Sequence, residues 1–154
     1  MRRVPQPPLA PLLGTLYVVA VLVNYLWEVP QMAFYEWWGA SWAVGLLVCL
    51  LAALGDGLLV LALYGLGCAL FRRRDWILQP GVAGYNLLVL AGMVVAVALE
   101  MHALAWGRWA YNTRMPVIPG LGVGLVPVVQ MMVLPPLAAR LARWWLQRTR
   151  QVAA

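Results

Sequence analysis

Four polar side chains sit where an otherwise apolar sequence gives them no ordinary use. Glu28, Asp56, Glu100 and Gln130 each lie within or at the end of a long hydrophobic run. An Asp, Lys or Arg at the centre of a membrane helix costs about 2.5–3.5 kcal/mol on insertion scales, so ionisable groups kept there default to functional candidates. The chemistry open to them is general acid–base catalysis or proton transfer. Glu28, Asp56 and Glu100 are therefore the candidate catalytic residues. Asn24, Trp27, Gln31, His102, Arg108, Trp109, Tyr111, Arg114 and Gln130 are the candidate substrate-binding residues around them.

Helical spacing argues that the carboxyls meet. Gly92, Ala96, Glu100, Ala103 and Gly107 follow i, i+4, i+8, i+11, i+15, a stripe of small residues of the kind that lets helices approach closely. Asn24, Glu28 and Gln31 form one polar face, with Pro30 expected to end the helix near its last member. Gly45, Ala52, Asp56, Leu63 and Gly67 are read as the inward stripe of another run. His102 stands about 200° around the helix from Glu100, on a different face, where contact with lipid headgroups is its bland reading. Gln130 and Asn24 have a bland reading too, as plain interhelical hydrogen bonds, and Glu28 as an interfacial residue in water.

The elements that position these groups follow from composition. Of 154 residues, 64% are hydrophobic and 10% charged, against roughly 25% charged in an ordinary soluble domain. A soluble globule of this size cannot bury that much apolar surface, so the chain is read as a single all-α integral membrane domain over residues 1–154. A hydrocarbon core about 30 Å thick needs about twenty helical residues, and four such runs are present, at about Leu9–Trp27, Ala43–Phe71, Val82–Trp106 and Leu121–Ala139. They predict a four-helix bundle. Nine of eleven arginines fall on the termini and the middle loop, so the positive-inside rule predicts both termini in the cytoplasm of a cell (inner or plasma) membrane. Six tryptophans at the opposite interface, and Trp76, Trp144 and Trp145 at the inner one, read as aromatic belts. The Met1-Arg2-Arg3 start is expected to be no cleavable signal, because Pro5, Pro7, Pro8 and Pro11 follow it.

Counting excludes several chemistries. No lysine is present, which removes Schiff-base enzymes and P-loops. One histidine, one serine and three threonines leave no multi-histidine metal centre and make a serine-hydrolase triad improbable. Cys49 and Cys68, nineteen apart in one run, stand about 28 Å from each other on a helix and cannot pair within one chain. No metal and no cofactor is expected. The net charge of +6 is topological, so no nucleic-acid partner is expected either.

The segment from Trp106 to Gly124 is the most distinctive stretch of the chain. Arg108 and Arg114, with Trp109 and Tyr111, are able to clamp a phosphate or lipid headgroup, or to counter Glu100 and Glu28. Pro127, Pro135 and Pro136 are expected to kink the fourth helix and to free the carbonyls of Val123, Met131 and Met132. Phe34 to Trp38 are expected to lie flat in the interface.

Glu100, Gly107-Arg108-Trp109-Ala110-Tyr111 and Pro127-Val128-Val129-Gln130 resemble, in order, elements of the membrane-embedded lycopene cyclase domain of bacteria and archaea. That family carries an acidic residue, a Gly-x-Trp-x-Tyr or Phe element and a Pro-x-Glu-Glu element opening the next helix. The match covers about thirty residues, and Gln130 stands where the glutamate pair is absent. The resemblance implies proton-driven rearrangement of a polyene without a redox cofactor. The chain also looks like small four-span bacterial membrane proteins with a Trp-Glu end to the first helix.

These readings combine into one expectation. An outward-leaning intramembrane chamber holds the carboxyls, and an apolar lipid such as an isoprenoid, carotenoid or quinone binds there. A carboxylic acid held neutral in apolar surroundings serves as general acid. The alternatives are a small transporter or a structural subunit of a membrane complex. Membrane lipids are the expected partners, and self-association or a larger assembly is the expected means of completing so small a bundle.

Overall fold

A computed structural model describes residues 8–37 and 39–152. Met1, Arg2, Arg3, Pro5 and Pro7, and with them the reading of the N-terminal start, lie outside the described residues, as does Trp38. The described chain is all helical, with α1 at Leu9–Gln31, α2 at Trp42–Phe71, α3 at Gly81–Ala105 and α4 at Leu125–Val152. All four are long and apolar enough to cross a membrane. Leu51, Leu58, Leu90 and Val94 are each about 60% exposed, an outward apolar face of the kind that suits a hydrocarbon surrounding.

Local chemistry sets the ends of these helices. Pro11 falls in the first turn of α1, where its missing N–H costs nothing. Ser41 caps α2 by accepting from the Val44 N–H at 3.4 Å. Arg72 closes α2 in the left-handed region at φ 54°. Two sequence-based boundaries shift. Pro30 does not stop α1, which continues to Gln31 and then a short 3₁₀ turn, Met32–Phe34. The proline forfeits one bond in the last turn only. The fourth helix starts at Leu125 rather than near Leu121, because Gly120 and Gly122 hold positive φ angles in a tight loop, and it runs well beyond Ala139 through an arginine-rich stretch. Pro127 therefore lies in the first turn of α4 and bends nothing, while Pro135 and Pro136 lie inside the helix.

Around the bundle the order is α2, α1, α4, α3, with α1 packed on both α2 and α4, and α3 packed on α4. By comparison α2 and α3 barely meet. The α3–α4 approach is close because Gly92 faces the backbone carbonyl of Met131, the carbonyl that Pro135, four residues on, leaves without an N–H partner. A glycine Cα–H is the group small enough to receive it.

The α2–α3 connection closes the far end of the bundle. Trp76 is 2% exposed, set against Gly67 and Gly84, and its indole N–H donates to the Tyr64 carbonyl at 3.1 Å. Trp76 is thus a core residue and not the belt tryptophan expected from its place in the sequence. Two glycines, whose partnership is invisible in one dimension, make the slot it fills.

Candidate functional site

Gln130 occupies the second turn of α4, near the loop end of that helix rather than at its middle, and is 2% exposed. Its side-chain nitrogen stands 2.9 Å from Asn24 Oδ1, 2.8 Å from Glu28 Oε1 and 2.9 Å from Asp56 Oδ2. One amide nitrogen thus ties α1 and α2 to α4. It carries two protons for three acceptors, so the cluster is short of donors. Asn24 spends its own amide protons inside α1, donating to the Ala20 carbonyl at 2.8 Å. Gln31 donates to Glu28 Oε1 at 3.5 Å and accepts from the Trp27 indole at 2.8 Å, which continues the polar face of α1 as its spacing predicts.

Asp56 reaches this cluster from the edge of the α2 face. The buried face of α2 runs through Gly45, Cys49, Ala53, Gly57, Val60, Leu63, Tyr64 and Gly67, so Gly45, Leu63 and Gly67 lie where the spacing puts them. Ala52 and Asp56 are half-buried beside it rather than central to it, a correction to the stripe read from spacing. Gly57 sits against Tyr17 and Val21 of α1, and that close packing turns the neighbouring Asp56 toward Gln130.

Glu100 forms a second centre. It is 6% exposed and lies with Gly92, Ala96 and Ala103 on the buried face of α3. Its Oε2 accepts from the Tyr111 hydroxyl and from the Trp109 indole N–H, the latter at 3.3 Å. Tyr111 in turn accepts from the backbone N–H of Gly124 at 2.9 Å. The α3–α4 loop therefore folds back over α3 and delivers two donors to one carboxyl oxygen. Tyr35 rests on both aromatics, 6.3 Å from the Trp109 ring and 5.5 Å from the Tyr111 ring in edge-on geometry. Burial, and then the hydrogen bond to Glu100, push the Tyr111 phenol above its ordinary value; burial, and then the Glu100 charge, do the same to Tyr35.

The two loops at this end are clasped together. Tyr35 and Tyr111 pair as an antiparallel bridge, with Glu36 N–H to the Ala110 carbonyl at 2.9 Å and Asn112 N–H to the Phe34 carbonyl at 3.0 Å. The Asn112 side chain donates to the carbonyls of Ala33 and Tyr35 at 2.8 and 3.3 Å. Residues 34–37 are thus fastened to the α3–α4 loop. Tyr35 covers Glu100, and Trp37 turns inward to donate to the Met32 carbonyl at 2.7 Å.

Beneath the clasp, in the gap between α2 and α3, a cleft of about 390 Å³ opens, within the range of about 300–1,000 Å³ usual for ligand pockets. Val44, Val48 and Ala52 of α2 face Ala96 and Leu99 of α3 across it, and Glu28, Asp56, Glu100 and Gln130 all border it. Gln31, Arg108 and Trp109 border it as well. Asn24 and Tyr111 act one bond behind, on Gln130 and Glu100, and Trp27 acts through Gln31. Two expected binding residues are elsewhere. His102 is exposed on the far side of α3 beside Trp106, as its phase relative to Glu100 requires. Arg114 is exposed in the loop and gives its backbone N–H to Asn112 Oδ1. Neither arginine of this loop pairs with a carboxylate among the described residues, so they do not counter Glu28 or Glu100. Sequence reasoning missed Tyr35, Trp37 and Cys49; the first two belong to an irregular segment whose path only the clasp reveals, and Cys49 reads as an ordinary apolar position.

No protein-family model matches this chain, and no curated protein or solved structure matches it either.

Proposed function

We propose that this integral membrane protein takes an apolar lipid of isoprenoid, carotenoid or quinone type into the cleft between α2 and α3 and acts on it by acid–base chemistry without a redox cofactor. The observation that carries this reading is a groove with apolar walls that ends on three carboxyls, none of them neutralised by a cation among the described residues. In this reading Glu28 and Asp56, sharing the two protons of Gln130 with Asn24, hold the proton that a general acid needs. Glu100, positioned by Tyr111 and Trp109, handles the proton on the opposite wall. A polyene rearrangement, as the likeness of Glu100, the Trp109–Tyr111 element and Gln130 to lycopene cyclase domains implies, is one reaction of this class. We place the chain in the cell (inner or plasma) membrane with both termini cytoplasmic and the cleft toward the outer face, on the distribution of arginines.

Mass spectrometry of lipid extracts from cells expressing the protein tests the proposal. Wild-type chain should convert an apolar lipid that Glu100→Gln leaves unchanged. Ala52→Phe, which narrows the cleft without altering a carboxyl, should lower the same conversion. Identical lipid profiles for wild type and Glu100→Gln, with both inserted and helical, would overturn the enzyme.

A further inference from the structure

The end of the bundle remote from the carboxyls carries a concentration of positive charge that the proposed function does not use. Arg72, Arg73 and Arg74 follow α2, Arg140, Arg143 and Arg148 lie along the last turns of α4, and all six are exposed. The two groups share one end, because Trp76 and Ile77 pack into a cluster with Ala138, Ala139 and Ala142 of α4. Asp75 bonds Arg73 at 3.0 Å, the one ion pair among the described residues. The other five guanidiniums form no ion pair among the described residues.

Exposed indoles lie among them. Trp144 and Trp145 are 47% and 55% exposed, an expensive placement in water and a favourable one in the headgroup layer of a membrane. Arg140, Trp144 and Arg148 follow i, i+4, i+8 and so share one face of α4. The Arg148 guanidinium carbon stands 4.3 Å from the centroid of the Trp144 ring. Stacked on the indole, the guanidinium is held in place while its N–H edge stays free, the presentation that suits two oxygens of one phosphate.

We propose that Arg140, Arg143, Trp144 and Arg148, with Arg72 and Arg74 of the facing turn, bind the headgroup of an anionic phospholipid. The arginines ride on the direct continuation of a helix long and apolar enough to span a membrane, with exposed indoles among them, the residue type that favours the headgroup layer. That placement favours a lipid over a nucleic acid or an acidic protein. Each arginine near an anionic membrane surface strengthens the attraction by about five-fold.

Native mass spectrometry of the full-length protein, taken from vesicles of phosphatidylcholine mixed with phosphatidylglycerol, tests this. The wild-type chain should retain phosphatidylglycerol in preference to phosphatidylcholine. Combined Arg140→Gln, Arg143→Gln and Arg148→Gln should reduce that preference by well over ten-fold, with helical content unchanged by circular dichroism, whereas Arg114→Gln at the other end should leave it intact. Arg148→Lys keeps the charge but loses the planar fork, and should lose part of the preference. Should the triple variant fail to insert, the single Arg148→Gln and Arg148→Lys variants decide the matter. Equal retention of the two lipids by wild type would overturn the proposal. So would undiminished preference in the Arg148→Gln variant, or displacement of phosphatidylglycerol by an oligonucleotide.

Discussion

At the scale of single residues, the arrangement turns on donors that serve more acceptors than they can fill. Among the described residues Gln130 is the one side chain that reaches Asn24, Glu28 and Asp56 together. Gln130→Ala takes this donor from buried Asn24 and from half-buried Asp56, and leaves Glu28 only the Gln31 amide at 3.5 Å, so the change should destabilise by about 1–3 kcal/mol. Asn24→Ala removes one acceptor and leaves Gln130 two others, and should cost nearer the membrane average of about 0.6 kcal/mol. Thermal unfolding of both variants in detergent measures the difference; equal losses would mean that Gln130 is not the hub. Tyr111 invites a test in pH. Its phenol, like that of Tyr35, is raised above the ordinary value of 10.0, so the folded state favours the neutral form. That contribution is complete below about pH 10 and is lost as pH rises above it. Tyr111→Phe should therefore flatten the alkaline loss of helical signal. Near neutrality it should cost about 1 kcal/mol, for the bonds to Glu100 and Gly124. Circular dichroism followed against pH reads both effects.

At the scale of helices, close approach rather than propensity sets the geometry. Gly92 lies against the Met131 carbonyl, whereas Gly65 of α2 has open space around it. Gly92→Val should push α4 away from α3 and cost about 1–3 kcal/mol through overpacking. Gly65→Ala should stabilise α2 by up to about 1 kcal/mol. Parallel melting curves that failed to separate the two would refute the α3–α4 contact. The same residues mark how much was legible in the sequence. The cores of all four helices were readable from hydropathy, and the phase of α3 was readable from Gly92, Ala96, Glu100 and Ala103, because small residues declare where a neighbour comes close. The phase of α2 was legible only in part: Gly45, Leu63 and Gly67 are buried as the spacing predicts, whereas Ala52 and Asp56 stand at the edge, since the run is apolar on every side and carries little periodic signal. The length of α4 was misjudged, because arginines end a hydrophobic run without ending a helix. Trp76 had the composition of a belt residue, and only the pairing of Gly67 with Gly84 makes it core.

At the scale of the whole molecule, two helical hairpins meet along one side and stay apart on the other. α1 and α4 join them, α2 and α3 leave the cleft, and the clasp between residues 34–36 and 110–112 spans the end where the carboxyls lie. The clasp matters because Trp109 and Tyr111, which hold Glu100, are carried by the loop it fastens. Asn112 is its main rivet. The side chain donates to the Ala33 and Tyr35 carbonyls and accepts from the Arg114 N–H. The two that cross the clasp, at about 0.5–1.5 kcal/mol each, come to about 1–3 kcal/mol, against about 1.4 kcal/mol for a ten-fold change. In Asn112→Ala the amides of Glu36 and Asn112 itself, which pair across the clasp, should exchange with deuterated solvent about ten times faster. The amides of α1 and α4 along their shared contact should keep their wild-type rates, since local opening leaves the helical core in place. Acceleration spread evenly over all four helices would show that the loops and the bundle unfold as one unit, and that Glu100 is held by the whole fold rather than by its cover.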